Sequence, residues 1–189
     1  MKEDDIFEEP LIYTSFVAMC NGHEPTYLPV KEMVDLKGVL EAKLEEYNEM
    51  IARMDLVLFD QAMEHISRVC RIIIQPVGSA LLVGVGGSGK QSLGKLSAFI
   101  LGYDVARIMV TSNYKLADLK LDIQGMFTKA TVANAQLFFI LTDGQISDNK
   151  FLMYINDLLA SGYIPELFAK DELDGLLGKV RGEAKAAGY

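Results

Sequence analysis

The feature that most restricts what this chain can fold into is a junction near its middle. An apolar run, Ala80-Leu81-Leu82-Val83, passes directly into Gly84-Val85-Gly86-Gly87-Ser88-Gly89-Lys90. A short apolar run without polar alternation suits a strand buried on both faces, as in a parallel sheet. The seven residues that follow fit the spacing G-x-x-x-x-G-K, and the periodicity then predicts a helix from about Gln91 to Leu101. Small residues at these positions let backbone N–H groups converge on an anion that side chains would otherwise keep away. The helix start adds its unpaired N–H groups and its dipole, and Lys90 adds a point charge suited to β- and γ-phosphates. Gly84, Val85, Gly86, Gly87, Ser88, Gly89 and Lys90, with Gln91 and Ser92 behind them, are the candidate phosphate-binding residues.

The metal side of such a site is less regular. Ser or Thr normally follows the lysine and offers Mg²⁺ a hydroxyl, but here the residue is Gln91. Ser92 lies about 100° further round the helix, so it faces elsewhere. Gln91 can offer a side-chain oxygen instead. The second half of a P-loop ATPase site is an acid at the end of a buried strand, and the run LFFILTDG holds the candidate. With Asp143 as the metal-side acid, Gly144 follows and no base is present. With Asp143 in the place of the glutamate that AAA+ enzymes use to activate water, Thr142 replaces the metal-side acid. Either alignment lacks one acid. Asp143 is therefore the candidate catalytic or Mg²⁺-binding residue, and slow or absent hydrolysis is expected. A plain turn at Asp143-Gly144 is the competing structural role.

The rest of the chain predicts an α/β frame. Residues 1–30, punctuated by Pro10, Pro25 and Pro29, read as an irregular lead-in. Helical periodicity runs from about Lys31 to Arg53, through Leu36, Leu40, Leu44, Tyr47 and Ile51, and again from Leu58 to Ile74, where His65 is expected on the apolar stripe. Ala106–Val110 and Leu137–Leu141 are further strand candidates. Helices are expected over Lys115–Lys129 with a break near Gly125, over Asn149–Ser161, and over Asp171–Ala187 against three glycines. This order predicts a three-layer α/β/α sandwich with a parallel sheet, preceded by N-terminal helices. The domain reading is a lead-in at 1–30 and a partial nucleotide-binding domain at 31–189. The latter divides into helices at 31–75, a phosphate-loop core at 79–162 and a C-terminal helical segment at 163–189.

Composition narrows the partners. Half of the 189 residues are hydrophobic and the formal net charge is −8 without a basic cluster, so a nucleic-acid surface is not expected. No apolar run approaches the length of a membrane span. Cys20, Cys70, His23 and His65 show no metal-ligand spacing, and the two cysteines read as buried small apolar residues in a reduced, intracellular setting.

The strings ALLVGVGGSGKQSL, TSNYKLADLKLDIQ, LTDGQI, FLMYINDLLASGYIPELF and KDELDGLLGKVRGEAKAAGY, with FEEPLIYTSF and LFDQAMEHISRVCRII, resemble the fourth AAA+ module of axonemal dynein heavy chains. The resemblance covers nearly the whole chain. It implies a module that binds ATP or ADP with Mg²⁺ in a regulatory role, within a ring whose first module is the main hydrolytic engine. By the same resemblance the partners are neighbouring AAA+ modules and dynein subunits, with microtubules reached only through regions outside this chain, at the axoneme of a cilium. It also implies that Val57, Leu58 and Phe59 border the adenine, that Asn113 is a pocket or turn residue, and that the chain stops before the helical lid. An actively hydrolysing ATPase and a non-enzymatic interaction module remain open beside it.

Overall fold

The computed structural model describes residues 11–133 and 135–188. The chain divides into two compact units between Gly102 and Tyr103.

In the first unit, a two-residue strand β1 (Tyr13–Thr14) pairs antiparallel with β2 (Leu28–Pro29), Tyr13 opposite Pro29, and helix α1 (Phe16–Cys20) lies between them. The stretch expected to be irregular thus carries a small ladder, and Tyr13 stacks on Tyr27 with ring centroids 5.5 Å apart. Two helices follow, α2 (Met33–Met50) and α3 (Asp60–Ile73), and the helix behind the glycine-rich loop is α4 (Lys90–Ile100). The apolar stripe of α3 buries Ala62, Met63, Ile66, Val69, Cys70 and Ile73. His65 is exposed, contrary to the expectation that it shares that stripe. It sits one residue, about 100°, away from Ile66 and so falls outside the buried arc.

The core of this unit joins Leu36, Leu40 and Tyr47 of α2 to Met63 and Ile66 of α3 and Leu96 of α4, with Phe16 of α1 at its edge. Tyr47 meets Phe99 edge-on at 5.3 Å between centroids. Polar groups buried between the helices are satisfied locally: Ser67 donates to Met63 O at 2.9 Å and Ser97 to Leu93 O at 2.8 Å. Leu93, Leu96, Ser97 and Ile100 share one face of α4 and are buried.

The second unit is a βαβ unit with two further helices. Strand β3 (Asp104–Arg107), helix α5 (Leu116–Val132) and strand β4 (Leu137–Ile140) lead to α6 (Phe151–Ser161) and α7 (Lys170–Ala186). β3 and β4 pair in parallel, Asp104 opposite Leu137 and Arg107 opposite Ile140. Residues Ile108, Leu119, Ile123, Phe151, Ile164 and Leu167 form its core. α5 runs through Gly125 without the expected break. One glycine costs a helix only about 1 kcal/mol, and burying Leu119 and Ile123 outweighs that. α7 likewise tolerates Gly175, Gly178 and Gly182, and its start is capped by Ala169 N–H donating to Glu172 Oε2 at 3.0 Å.

One strand expectation fails. Ala80–Val83 belongs to no strand; Leu81 is 89% and Val83 86% exposed. A strand exists only where a neighbouring backbone completes its ladder, and among the described residues the only parallel ladder is β3–β4. The fold class is α/β, with helices around a parallel ladder. The parallel sheet has two strands among the described residues rather than the three that the sequence suggested.

Candidate functional site

The glycine-rich loop lies between the exposed run and α4. Two of its glycines, Gly87 and Gly89, both have φ of +75°, and Gly89 is the N-cap of α4 in the left-handed conformation. An L side chain is strained there, so glycine lets the chain double back and deliver its amides to one side. At Gly84 the constraint is space: a Cβ would stand 3.3 Å from Ser88 Oγ and 3.6 Å from Lys90 Nζ.

The amides of the loop are available. Ser88 N–H makes a long bond of 3.4 Å to Val85 O, while the N–H groups of Gly86, Gly87 and Gly89 donate to no acceptor among the described residues. Unbonded donors facing solvent at a helix N-terminus are groups that an anion can take up. Lys90 folds back over the same loop. Its ammonium donates to Gly84 O and Val85 O, each at 2.7 Å, and to Ser88 Oγ at 3.1 Å. The positive charge is thereby held where phosphate oxygens would replace neutral carbonyls as its acceptors. Gln91 is exposed and Ser92 half-buried one residue further along the helix.

The segment that precedes α3 reaches this loop. A Cβ built on Gly89 would be 3.6 Å from Leu56 Cδ1, which places the Leu56 side chain against the loop backbone. Val57 is 77% and Phe59 57% exposed, whereas Leu58 is buried in the core of the unit. Of these three residues implied to border a base, two have their apolar surface in water and one does not.

In the second unit, Thr142 and Asp143 follow β4. Asp143–Gln145 forms a single 3₁₀ turn with Thr142 as its N-cap. Gln145 ties this turn together: its Oε1 accepts from Thr142 N–H at 2.8 Å and from Thr142 Oγ1 at 3.0 Å. Its Nε2 donates to Ile108 O, one residue beyond β3, at 2.6 Å. Gln145 therefore bridges the C-terminal ends of two parallel strands, and Thr142 spends its hydroxyl proton inside the protein. Asp143 is exposed, and its carboxylate has no hydrogen bond or ion pair among the described residues. The pair forms the turn that was its competing structural role, and the Asp143 side chain stands in solvent. Asn113 lies in the turn before α5, whose N-cap is Lys115, with Lys115 N–H donating to Asp118 Oδ2 at 2.8 Å.

Sequence reasoning missed Gln145 and, in the first unit, Asn48, whose side chain grips the backbone of Met54. No spacing rule announces either contact. A short polar motif after a strand, such as Thr142-Asp143-Gly144-Gln145, does carry a local capping signal.

The cysteines take no part. Burial pushes the Cys70 thiol up to about 12, and Cys20, half-buried, is also raised, chiefly by desolvation. Among the described residues no three His, Cys, Asp or Glu side chains cluster to hold a metal, and no helix is long and apolar enough to cross a membrane. Mg²⁺ in phosphate sites is held by one or two protein oxygens together with phosphate and water.

A family model described as the P-loop containing dynein motor region D4 matches residues 54–189. The flagellar outer-arm dynein beta chain of Chlamydomonas reinhardtii is 49% identical over 185 residues, 97% of this chain and 4% of the relative. Dynein axonemal heavy chain 17 of Homo sapiens is 45% identical over 183 residues, again 97% of this chain and 4% of the relative. The ciliary dynein beta chain of Heliocidaris crassispina is 45% identical over 186 residues, 98% of this chain and 4% of the relative. The chain thus spans a small fraction of the length of the relatives it matches.

Proposed function

Since this chain belongs to the P-loop containing dynein motor region D4 family, we propose that it is an ATP- or ADP-binding AAA+ module of an axonemal dynein heavy chain. In this reading it serves as a regulatory nucleotide site in ATP-driven, microtubule-based motility of cilia or flagella. Its partners are neighbouring AAA+ modules and dynein subunits, and microtubules are reached through regions outside this chain.

The observation that carries the reading is the glycine-rich loop itself. It has free N–H groups at Gly86, Gly87 and Gly89 and a lysine ammonium already gathered over it. These residues fit a polyphosphate. The backbone amides would bind its oxygens, and Lys90 would exchange carbonyl acceptors for anionic ones, which form stronger bonds. Mg²⁺, when bound with the nucleotide, supplies charge neutralisation of the phosphates. Gln91 of the first unit is proposed to offer it an oxygen, and Asp143 of the second unit is proposed separately as a metal-side or catalytic acid.

Hydrolysis needs a positioned base in addition to the metal ligand. Thr142 has its hydroxyl turned to Gln145, and Asp143 is the one acid in the Thr142–Gln145 turn. This favours a site that holds nucleotide and turns it over slowly or not at all. Calorimetric titration of the chain with ATP and ADP, with and without Mg²⁺, together with a phosphate-release assay, tests the reading. Saturable binding with little turnover is expected. Turnover at the rate of a competent ATPase would overturn the regulatory assignment, and no binding at millimolar nucleotide would overturn the site.

A further inference from the structure

We propose that Asn48 is a positioning residue for the nucleotide base, setting the place of an apolar ledge formed by Val57 and Phe59; the proposal rests on the nucleotide reading above. Residues 54–59 run between α2 and α3 without a ladder partner among the described residues. The segment begins with a tight turn in which Leu56 N–H donates to Met54 O at 3.1 Å, and side chains hold the rest. Burial alternates along it: Met54 and Leu58 are buried and Leu56 half-buried, while Asp55, Val57 and Phe59 are exposed.

The clamp on this segment is Asn48, near the C-terminal end of α2. Met54 N–H donates to Asn48 Oδ1 at 2.6 Å, and Asn48 Nδ2 donates to Met54 O at 3.4 Å. A side-chain amide thus stands in for the missing neighbouring strand at one residue. Two residues on, Leu56 rests against the loop backbone at Gly89. The grip at Met54 therefore sets how the next outward residues stand relative to the phosphate loop. Large apolar surface kept in water beside an anion site is where the flat face of an aromatic base gains by stacking.

The surroundings divide the labour. Asn48, Leu56 and Val57 line a groove of about 700 Å³, the size of pockets that accept small ligands. Glu41, Glu45, Glu49 and Asp55 line it against Lys37 and Arg53, which are ion-paired to Glu41 at 3.7 Å and to Asp55 at 3.2 Å, so its lining is net negative. Such a lining repels phosphate, so the groove suits the uncharged base and leaves the anion to the loop.

The test compares ATP with inorganic tripolyphosphate, which has the phosphates without the base, on the 189-residue chain with Mg²⁺ present. Asn48→Ala is expected to weaken ATP roughly tenfold, the size of one lost stacking contact, and to leave tripolyphosphate within about twofold. Asn48→Asp keeps the acceptor for Met54 N–H but loses the donor to Met54 O and adds charge to the groove, so it is expected to recover only part of the ATP affinity. Phe59→Ala alters an exposed residue and leaves the clamp intact; it too should weaken ATP alone. Equal weakening of both ligands in Asn48→Ala would mean a merely structural residue and would overturn the proposal. So would unchanged ATP affinity in both Asn48→Ala and Phe59→Ala. If the unaltered chain binds neither ligand, the phosphate-loop reading itself fails; if it binds both equally, only the base ledge fails.

Discussion

Replacing Lys90 by alanine is the perturbation whose size the structure defines best. Without nucleotide the ammonium makes two bonds of 2.7 Å to Gly84 O and Val85 O and one of 3.1 Å to Ser88 Oγ. Binding exchanges these neutral acceptors for ionised phosphate oxygens, so only the difference appears in affinity. Both sets of bonds are charge-assisted, so what binding adds is the Coulomb attraction between ammonium and phosphate, on the order of 1–4 kcal/mol at 4 Å near a protein surface. A hydrogen bond to a charged group contributes about 1.5–3 kcal/mol. The exchange then nets about 2–3 kcal/mol, and Lys90→Ala should raise the Kd for ATP·Mg²⁺ roughly 30- to 150-fold. Had the ammonium been free beforehand, the loss would be larger. The fold should barely notice, because the carbonyls left behind are exposed and water takes them up, for a change of about 0.5 kcal/mol or less. Lys90→Arg keeps the charge but cannot converge on the same three acceptors, and should fall between the two. Calorimetric titration paired with a thermal melt reads both quantities. A Kd within about threefold of the unaltered chain would refute the reasoning, as would a weakening accompanied by a Tm loss of many degrees.

Other expectations concern the frame. A Cβ on Gly78 would lie 1.9 Å from Ile72 O, so Gly78→Ala should cost about 2 kcal/mol or more, whereas Gly125→Ala meets nothing within 4 Å inside α5 and should stabilise by about 0.5–1 kcal/mol; urea unfolding of the pair gives opposite signs. Gln145→Leu removes the bridge between Thr142 and Ile108 and should cost about 2 kcal/mol, with Thr142 N–H losing its protection from hydrogen exchange. The Cys70 thiol is raised to about 12 from 9.0 by burial. Its neutral form is favoured by folding, so this contribution is fully present below pH 9 and is lost as pH rises towards 12, at roughly 1.4 kcal/mol per unit; Cys70→Ala should flatten the alkaline limb of a Tm-versus-pH curve.

What was legible in the sequence follows from how local each feature is. The helices appeared because Leu36, Leu40 and Tyr47, or Ile66, Val69, Cys70 and Ile73, recur within one element at its own period. The phosphate loop was legible because its chemistry needs glycines and a lysine at fixed offsets. Ala80–Val83 misled because hydrophobicity records what a segment would bury, while a strand also needs a backbone neighbour that no property of the run supplies. The break expected at Gly125 overweighted one residue against the buried face of α5. Asn48 and Gln145 were invisible for the converse reason. Their partners lie 6 and 37 residues away, and nothing in an amide side chain tells which distant carbonyl it will meet.

The claim on which all else depends is that the Gly86, Gly87 and Gly89 amides are anion donors. Recording amide resonances of isotope-labelled chain during titration with ATP·Mg²⁺ addresses those three groups individually. Saturable shifts of all three, at one common Kd and with Gly125 and Gly175 unmoved, are the predicted result. Three resonances that stay in place at millimolar nucleotide would contradict the account.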